Sequence, residues 1–227
     1  MCGRFNITDD PALHALLDVM RIPTAQRDLV FTQYDIRPTQ FIDIVLPGER
    51  NPSLAKALWW LILKKEGNQY KPDTKWASFN SRYDKFINGK VHQIKPQSFR
   101  VIIPASSWYE WQGDKGSKVP YMIKPESGAL ALGGVAKRWE TSDGPIYSAS
   151  IITLPGHPKL ASIHEKSMPL ILQEKDYAKW LDSSINNSAF SGLLRPHLPL
   201  PLVAGAVKST AAPQIVQENY IPEDDSV

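Results

Sequence analysis

Between Arg100 and Leu154 the chain passes through five strand-length apolar runs in quick succession: Arg100–Ile103, Trp108–Trp111, Val119–Ile123, Ala129–Val135 and Tyr147–Leu154. Turn residues separate them, and Gln112-Gly113-Asp114-Lys115-Gly116 reads as a hairpin connection. A short strand is expected over residues 2–7. Phe41–Leu46 reads as another, closed by Pro47-Gly48, and Ala57–Leu63 as a strand buried on both faces. Met168–Leu172 and Leu200–Val207 complete the set. Helices are few. Asp9-Asp10-Pro11 starts one, with Leu13, Leu16, Leu17 and Met20 at helical spacing, and it ends near Arg21-Ile22-Pro23. Short helices are expected within Ser81–Ile87 and over His157–His164. A further one spans Glu174–Leu181, with Tyr177, Trp180 and Leu181 on one face. Residues 24–39 read as irregular, 66–99 as a long functional loop, and the tail from Glu218 as acidic and loose. No repeat or linker divides the chain. The expected architecture is a single α+β domain over residues 1–227, a mostly antiparallel, barrel-like sheet with a few flanking helices.

Composition narrows the function classes. The chain has 227 residues, 42% hydrophobic and 22% charged, enough to bury a core. No apolar run reaches the length of a membrane span, and no basic-then-apolar leader is present, so a cytoplasmic protein with no membrane partner is expected. A monomer is expected. Cys2 is the single cysteine, which excludes an intrachain disulfide and a thiolate-rich zinc site. Nothing has metal-ligand spacing, so neither metal nor cofactor is expected. The net charge of +3 is small but unevenly placed. Ten Lys/Arg against three acids lie between Lys56 and Arg100, so that segment carries +7 and the rest of the chain −4. Interleaved with Trp59, Trp60, Trp76 and Phe79, such a surface suits single-stranded nucleic acid: cations for phosphates, flat rings for unstacked bases. A solvated basic face over core tryptophans has the same composition.

Cys2 stands where the small side chain favours removal of Met1. Removal leaves a free α-amine and a thiol on adjacent carbons. The amine condenses with an aldehyde to an imine, and the thiol closes on the imine carbon to give a thiazolidine. An α-amine titrates near ~8, so a useful fraction is nucleophilic at physiological pH. By itself, a cysteine at position 2 is also what an ordinary frayed terminus can carry.

Four stretches are rich in chemical groups: Met1-Cys2-Gly3-Arg4; Phe79-Asn80-Ser81-Arg82; Pro104-Ala105-Ser106-Ser107-Trp108-Tyr109-Glu110-Trp111; and His164-Glu165-Lys166-Ser167-Met168-Pro169. In this order they resemble the SRAP family, proteins associated with the SOS response and with abasic-site processing. The family pattern is a Cys-Gly-Arg start, Asn-x-Arg, a Pro-Ala segment ending in Glu-Trp, and a His shortly before Met-Pro. The resemblance implies a DNA-damage protein that crosslinks itself to an abasic site in single-stranded DNA, with β-elimination as a companion activity. It implies Cys2 as nucleophile and Asn80 as a holder of the Cys2 terminus or the sugar. Glu110 is implied as general acid/base, its pKa raised between tryptophans, and His164 as the acid that opens the sugar ring. Arg4 and Arg82 are implied at phosphates; from the basic segment Trp59, Trp60 and Trp76 are expected as DNA contacts, and so is Lys166 beside the His164 motif. His14, His92, His157 and His197 have no such context.

The chain departs from the family pattern in places. Tyr83-Asp84 replaces the usual small residue and Glu, so a shorter or lost salt bridge is expected after Arg82. Ser167 stands where an Arg is usual. The Trp59-Trp60-Leu61-Ile62-Leu63 segment compresses the usual DNA-wedging loop. Two other functions remain open: a thiol peptidase built on Cys2, His164 and Asn80, and a non-catalytic reader of damaged DNA.

Overall fold

The computed structural model describes residues 2–89, 96–114 and 116–225; Met1, Lys90, Lys95 and Lys115 of the segments above lie outside them. In chain order run β1 (Phe5–Ile7), α1 (Pro11–Val19), α2 (Thr24–Arg27), β2 (Gln33–Ile36), β3 (Phe41–Leu46) and β4 (Ser53–Leu58). Next come β5 (Leu63–Glu66), β6 (Gln69–Pro72), β7 (Asn80–Arg82), α3 (Tyr83–Ile87), β8 (Ser98–Ala105) and β9 (Ser107–Gln112). After them lie β10 (Val119–Pro125), β11 (Leu130–Thr141), β12 (Gly144–Pro155), a 3-10 turn at Pro158–Leu160, β13 (Ser167–Pro169) and β14 (Ile171–Leu172). The chain ends with α4 (Glu174–Leu181), a second 3-10 turn at Asn187–Phe190, β15 (Leu202–Ala206) and β16 (Asn219–Ile221).

Five strands close a barrel. β12, β4, β3, β8 and β11 pair in that order, and β11 returns to β12. The closure is tight at Gly134, where a Cβ would stand 2.8 Å from Ile103 Cδ1 and 3.0 Å from the Ser150 carbonyl oxygen, so any side chain there would crowd both strands. A second sheet, in the order β16-β15-β10-β9-β1-β2, packs on one side. Most pairings are antiparallel, as expected. The exceptions are β4 and β7, which both run parallel to β12. One apolar core joins barrel and sheet, from Phe5, Ile7 and Trp108 to Ile102, Ile151 and Trp180. α1 closes it from outside: Asp10 caps the helix by accepting the Leu13 N–H at 2.9 Å, and Leu13, Leu16 and Leu17 turn inward.

Several expectations need correction. Ala57–Leu63 is not one strand. β4 leaves β12 after Leu58, the chain detours through the β5–β6 hairpin, and β7 takes up the same edge of β12 at Ile151–Thr153. Trp59 fills the gap between the two strands. Its indole N–H donates to the Phe79 carbonyl at 2.8 Å, and its ring meets Phe5 and Phe79 edge-on. An apolar run alone cannot separate a buried strand from a buried connection. Residues 24–39 contain α2 and β2, and the segment 66–99, expected as a long loop, contains β6 and β7; the short helix expected within Ser81–Ile87 is α3. The expected helix over His157–His164 is only a 3-10 turn, and the strand at Met168–Leu172 is interrupted at Leu170. The acidic tail is not loose in residues 219–221, which pair with β15 as β16.

Trp59 is fully buried, so its ring belongs to the core. Trp59→Ala is expected to lower unfolding stability by about 3–5 kcal/mol in denaturant titration. A variant as stable as the wild type would contradict this placement.

Candidate functional site

The N-terminus is the first component. β1 pairs with β9 through Phe5↔Trp108 and Asn6↔Ser107, and the Tyr109 N–H donates to the Arg4 carbonyl at 2.9 Å. Continuing that register sets Gly3 opposite Glu110 and Cys2 one step beyond. Cys2 is wholly buried, and its thiol points to the Arg4 carbonyl at 4.0 Å. Burial, reinforced by the neighbouring Glu110 charge, pushes the thiol far above the ordinary range, so it keeps its proton at neutral pH.

β9 supplies the second component. Strand alternation puts Trp108 and Glu110 on the face toward the barrel, while Tyr109 and Trp111 face the other way, into a small cluster with Met122 and Val207. Glu110 is 3% exposed. Loss of water pushes its carboxyl up to about 7. His164 Nδ1 lies 3.5 Å from Glu110 Oε2. The same desolvation holds His164 down at about 4. At neutral pH the histidine is therefore uncharged and the carboxyl shares a proton with solvent, so the two are not an ion pair despite their distance. The sequence implied a histidine poised near its ordinary pKa; burial removes that.

β7 supplies the third. The Asn80 Nδ2 donates to the Cys2 carbonyl at 2.8 Å, while Asn80 Oδ1 is buried without a hydrogen-bond partner among the described residues. Beside it Ser81 turns inward to Ser150 at 2.9 Å, fixing β7 against β12. The structure thus gathers Cys2, Asn80, Glu110 and His164, separated by up to 162 positions in the chain, at one end of the barrel. Among the described residues no three His, Cys, Asp or Glu side chains converge as a metal site.

The expected DNA contacts sort less evenly. Arg82 and Lys166 are exposed, and so is Trp76. Arg82 keeps a bidentate pair to Asp84, Nε to Oδ1 at 3.0 Å and Nη2 to Oδ2 at 2.8 Å, so the salt bridge survives the shorter side chain. Trp60 is half-buried on Phe79 and donates to the Asp73 carbonyl at 3.2 Å. Arg4 is not free. Its Nη1 donates to Asp35 Oδ1 at 2.7 Å and to Thr210 Oγ1 at 3.1 Å, and its guanidinium lies over Trp111. Asp35 also takes Arg37 Nε at 2.9 Å, which makes Arg37 an exposed cation at the rim. Sequence reading passed over Asp35 and Arg37; the only local signal is the irregular Tyr34-Asp35-Ile36-Arg37-Pro38 loop, where Asp35 has φ +55°.

No helix among the described residues is long and apolar enough to cross a membrane.

Comparison with known proteins gives the family and the fold. The chain is 30% identical over 212 residues to the abasic site processing protein YoqW of Bacillus subtilis, covering 87% of this chain and 88% of that one. It is 32% identical over 199 residues to YoaM of the same organism, also called an abasic site processing protein, covering 80% and 79%. A crystal structure of a Bacteroides thetaiotaomicron protein superposes with a TM-score of 0.71 at 21% identity, over 95% of this chain and 99% of that one, and shows the same fold. The family model described as SOS response associated peptidase matches residues 1–210, and the chain belongs to the SRAP family.

Proposed function

We propose that this protein processes abasic sites in single-stranded DNA by a covalent crosslink through Cys2. The observation that carries the reading is the burial of Cys2 against a carboxyl pushed up to about 7, with Asn80 on its carbonyl. An amine and a thiol on adjacent carbons need proton transfers in both directions near neutral pH, and a half-protonated carboxyl supplies them.

Hydrolytic removal of Met1 frees the Cys2 amine. Its nitrogen adds to the aldehyde carbon of the ring-opened sugar, giving a carbinolamine. Protonated Glu110 gives its proton to the departing hydroxyl, which leaves as water, and an iminium forms with its N–H retained. The Glu110 carboxylate then takes the thiol proton as sulfur attacks the iminium carbon, the C=N electron pair returns to nitrogen, and the ring is left with a neutral N–H and Glu110 with its proton restored. The balance is amine, thiol and aldehyde in, thiazolidine and one water out. The unpartnered Asn80 Oδ1 is placed to accept from the freed amine. His164, uncharged above about 4, serves as a hydrogen-bonding partner of the sugar rather than as a standing acid. Arg82, Lys166, Arg37 and Trp76 offer phosphate and base contacts around the opening. Peptide hydrolysis by a thiolate fits less well, because burial keeps the Cys2 thiol protonated.

Protein made with a free Cys2 is expected to form, with a single-stranded oligonucleotide carrying one abasic site, a species of summed mass on a denaturing gel. Cys2→Ala is expected to abolish it. No band from protein whose Met1 loss is confirmed by mass spectrometry would refute the proposal, and binding unchanged in Glu110→Gln without any crosslink would favour a non-catalytic reader.

The raised carboxyl also has a signature in stability. The folded state holds the Glu110 proton more tightly than the unfolded chain does. That contribution is complete below ~4.3 and is lost as pH rises through about 7. Glu110→Gln is therefore expected to match the wild type in stability near pH 4. At pH 8 it is expected to exceed it by on the order of 2 kcal/mol, while its crosslinking rate falls roughly 100-fold. Equal stability at both pH values would count against a desolvated carboxyl.

A further inference from the structure

The loop that carries His164 is a closed loop pinned at its base. β12 ends at Pro155 and β13 begins at Ser167, and these two residues pair. Gly156 lies so close to the far end that a Cβ there would stand 2.0 Å from the Glu165 carbonyl oxygen. Within the loop, the 3-10 turn at Pro158–Leu160 directs the chain back, and the His164 N–H donates to the Leu160 carbonyl at 2.8 Å. One outer tie comes from β9: Gln112 Nε2 donates to the Ser162 carbonyl at 2.7 Å.

The other tie comes from the C-terminal segment, beyond residue 210, where the family match ends. Asp224 Oδ2 accepts from His157 Nε2 at 2.9 Å and from the Leu198 N–H at 2.9 Å, and its Oδ1 lies 2.9 Å from Lys159 Nζ. His197 Nδ1 stands 3.3 Å from the same carboxylate. Lys159 also donates to the Pro222 and Glu223 carbonyls at 3.1 and 2.8 Å. His157 Nδ1 accepts the Lys159 N–H at 3.2 Å and so caps the 3-10 turn. That assigns the proton of the neutral ring to Nε2, facing Asp224. Burial works to raise the Asp224 carboxyl, but the Leu198 N–H and Lys159 outweigh it and hold it near 2, so Asp224 is charged under all ordinary conditions. Ile221 anchors the segment a few residues earlier by pairing with Leu202 in the sheet.

We infer that Asp224 is a positioning residue for the reaction: the segment Pro222–Asp224 braces the first turn of the 156–166 loop and thereby fixes His164 beside Glu110. Asp224 touches no reacting atom. Its effect reaches His164 through His157, Lys159 and the Leu160 carbonyl. The inference rests on the proposed role of the Glu110–His164 pair for its bearing on catalysis, but the placement of His164 can be measured without any DNA.

The test is the NMR titration of the His164 ring in the wild type, Asp224→Asn and Asp224→Glu, with the resonance assigned by its loss in His164→Ala. The groups that bear on His164 are the charge of the chain's α-amine, the Lys166 and Lys118 charges, and Glu110 at 3.5 Å, none of which is altered. In the wild type the midpoint is expected at about 4. In Asp224→Asn the loosened loop admits water, and the midpoint is expected to rise toward ~6.5, with a roughly tenfold slower crosslink, while Asp224→Glu restores both in part. A lowered melting temperature with an unmoved His164 midpoint would overturn the inference. Should Asp224→Asn fail to fold, Lys159→Met removes the Nζ contacts to Asp224 Oδ1 and to the Pro222 and Glu223 carbonyls while leaving the His157 and Leu198 contacts of Asp224, and is read in the same way: a raised midpoint supports the brace, and an unmoved one overturns it. A shifted midpoint in a protein whose wild type forms no crosslink would sustain the brace and sink the proposed function.

Discussion

The bond from the Tyr109 N–H to the Arg4 carbonyl extends the β1–β9 pairing to the first residues of the chain. It holds the chain before β1 in place, and Cys2 is buried there. That burial sets the chemistry. A cysteine in water would carry an accessible thiol of ordinary acidity; here the thiol is shut away and protonated, and the carboxyl opposite it loses its water and titrates near neutral pH. The protein gives up stability to hold a carboxylate in such a place, and functional sites are where that kind of cost is found.

Three other elements must converge on the same end of the barrel, and each is held by contacts that have no part in the chemistry. β7 reaches Cys2 because β4 stops at Leu58 and Trp59 fills the space it leaves. The His164 loop is pinned at Gly156 and tied on two sides, by Gln112 from β9 and by Asp224 from the C-terminal segment. Arg4 is aimed by Asp35, which also holds Arg37, so the rim toward solvent keeps a net positive charge. Under the proposed function, this division into a dry centre and exposed cations suits a polyanion carrying one small electrophile.

Much of this was legible before any coordinates. Alternating and continuous apolar runs located the strands from β8 to β12, because their periodicity is set by the sheet itself. The resemblance of the four motifs to the SRAP pattern marked Cys2, Asn80, Glu110 and His164 together. Charge states were not legible. Nothing in the order of residues says that His164 loses its water, and a histidine reads as near ~6.5 until its neighbours are known. Trp59 misled for a related reason, since composition cannot tell a ring buried by tertiary packing from one left for a base. Asp224 looked like part of a solvated acidic tail because its partners, His157, Lys159 and His197, lie 67, 65 and 27 positions away. Long-range pairing of this kind leaves no periodic trace in a sequence.

The proposed chemistry turns on burial beside Cys2 leaving Glu110 half protonated at neutral pH. A carboxyl ¹³C NMR titration of the protein lacking Met1, with the Glu110 signal assigned by its loss in Glu110→Gln, reads this directly. The expected midpoint is about 7. A midpoint in the ordinary glutamate range, near ~4.3, would show the site to be open to water and would contradict it.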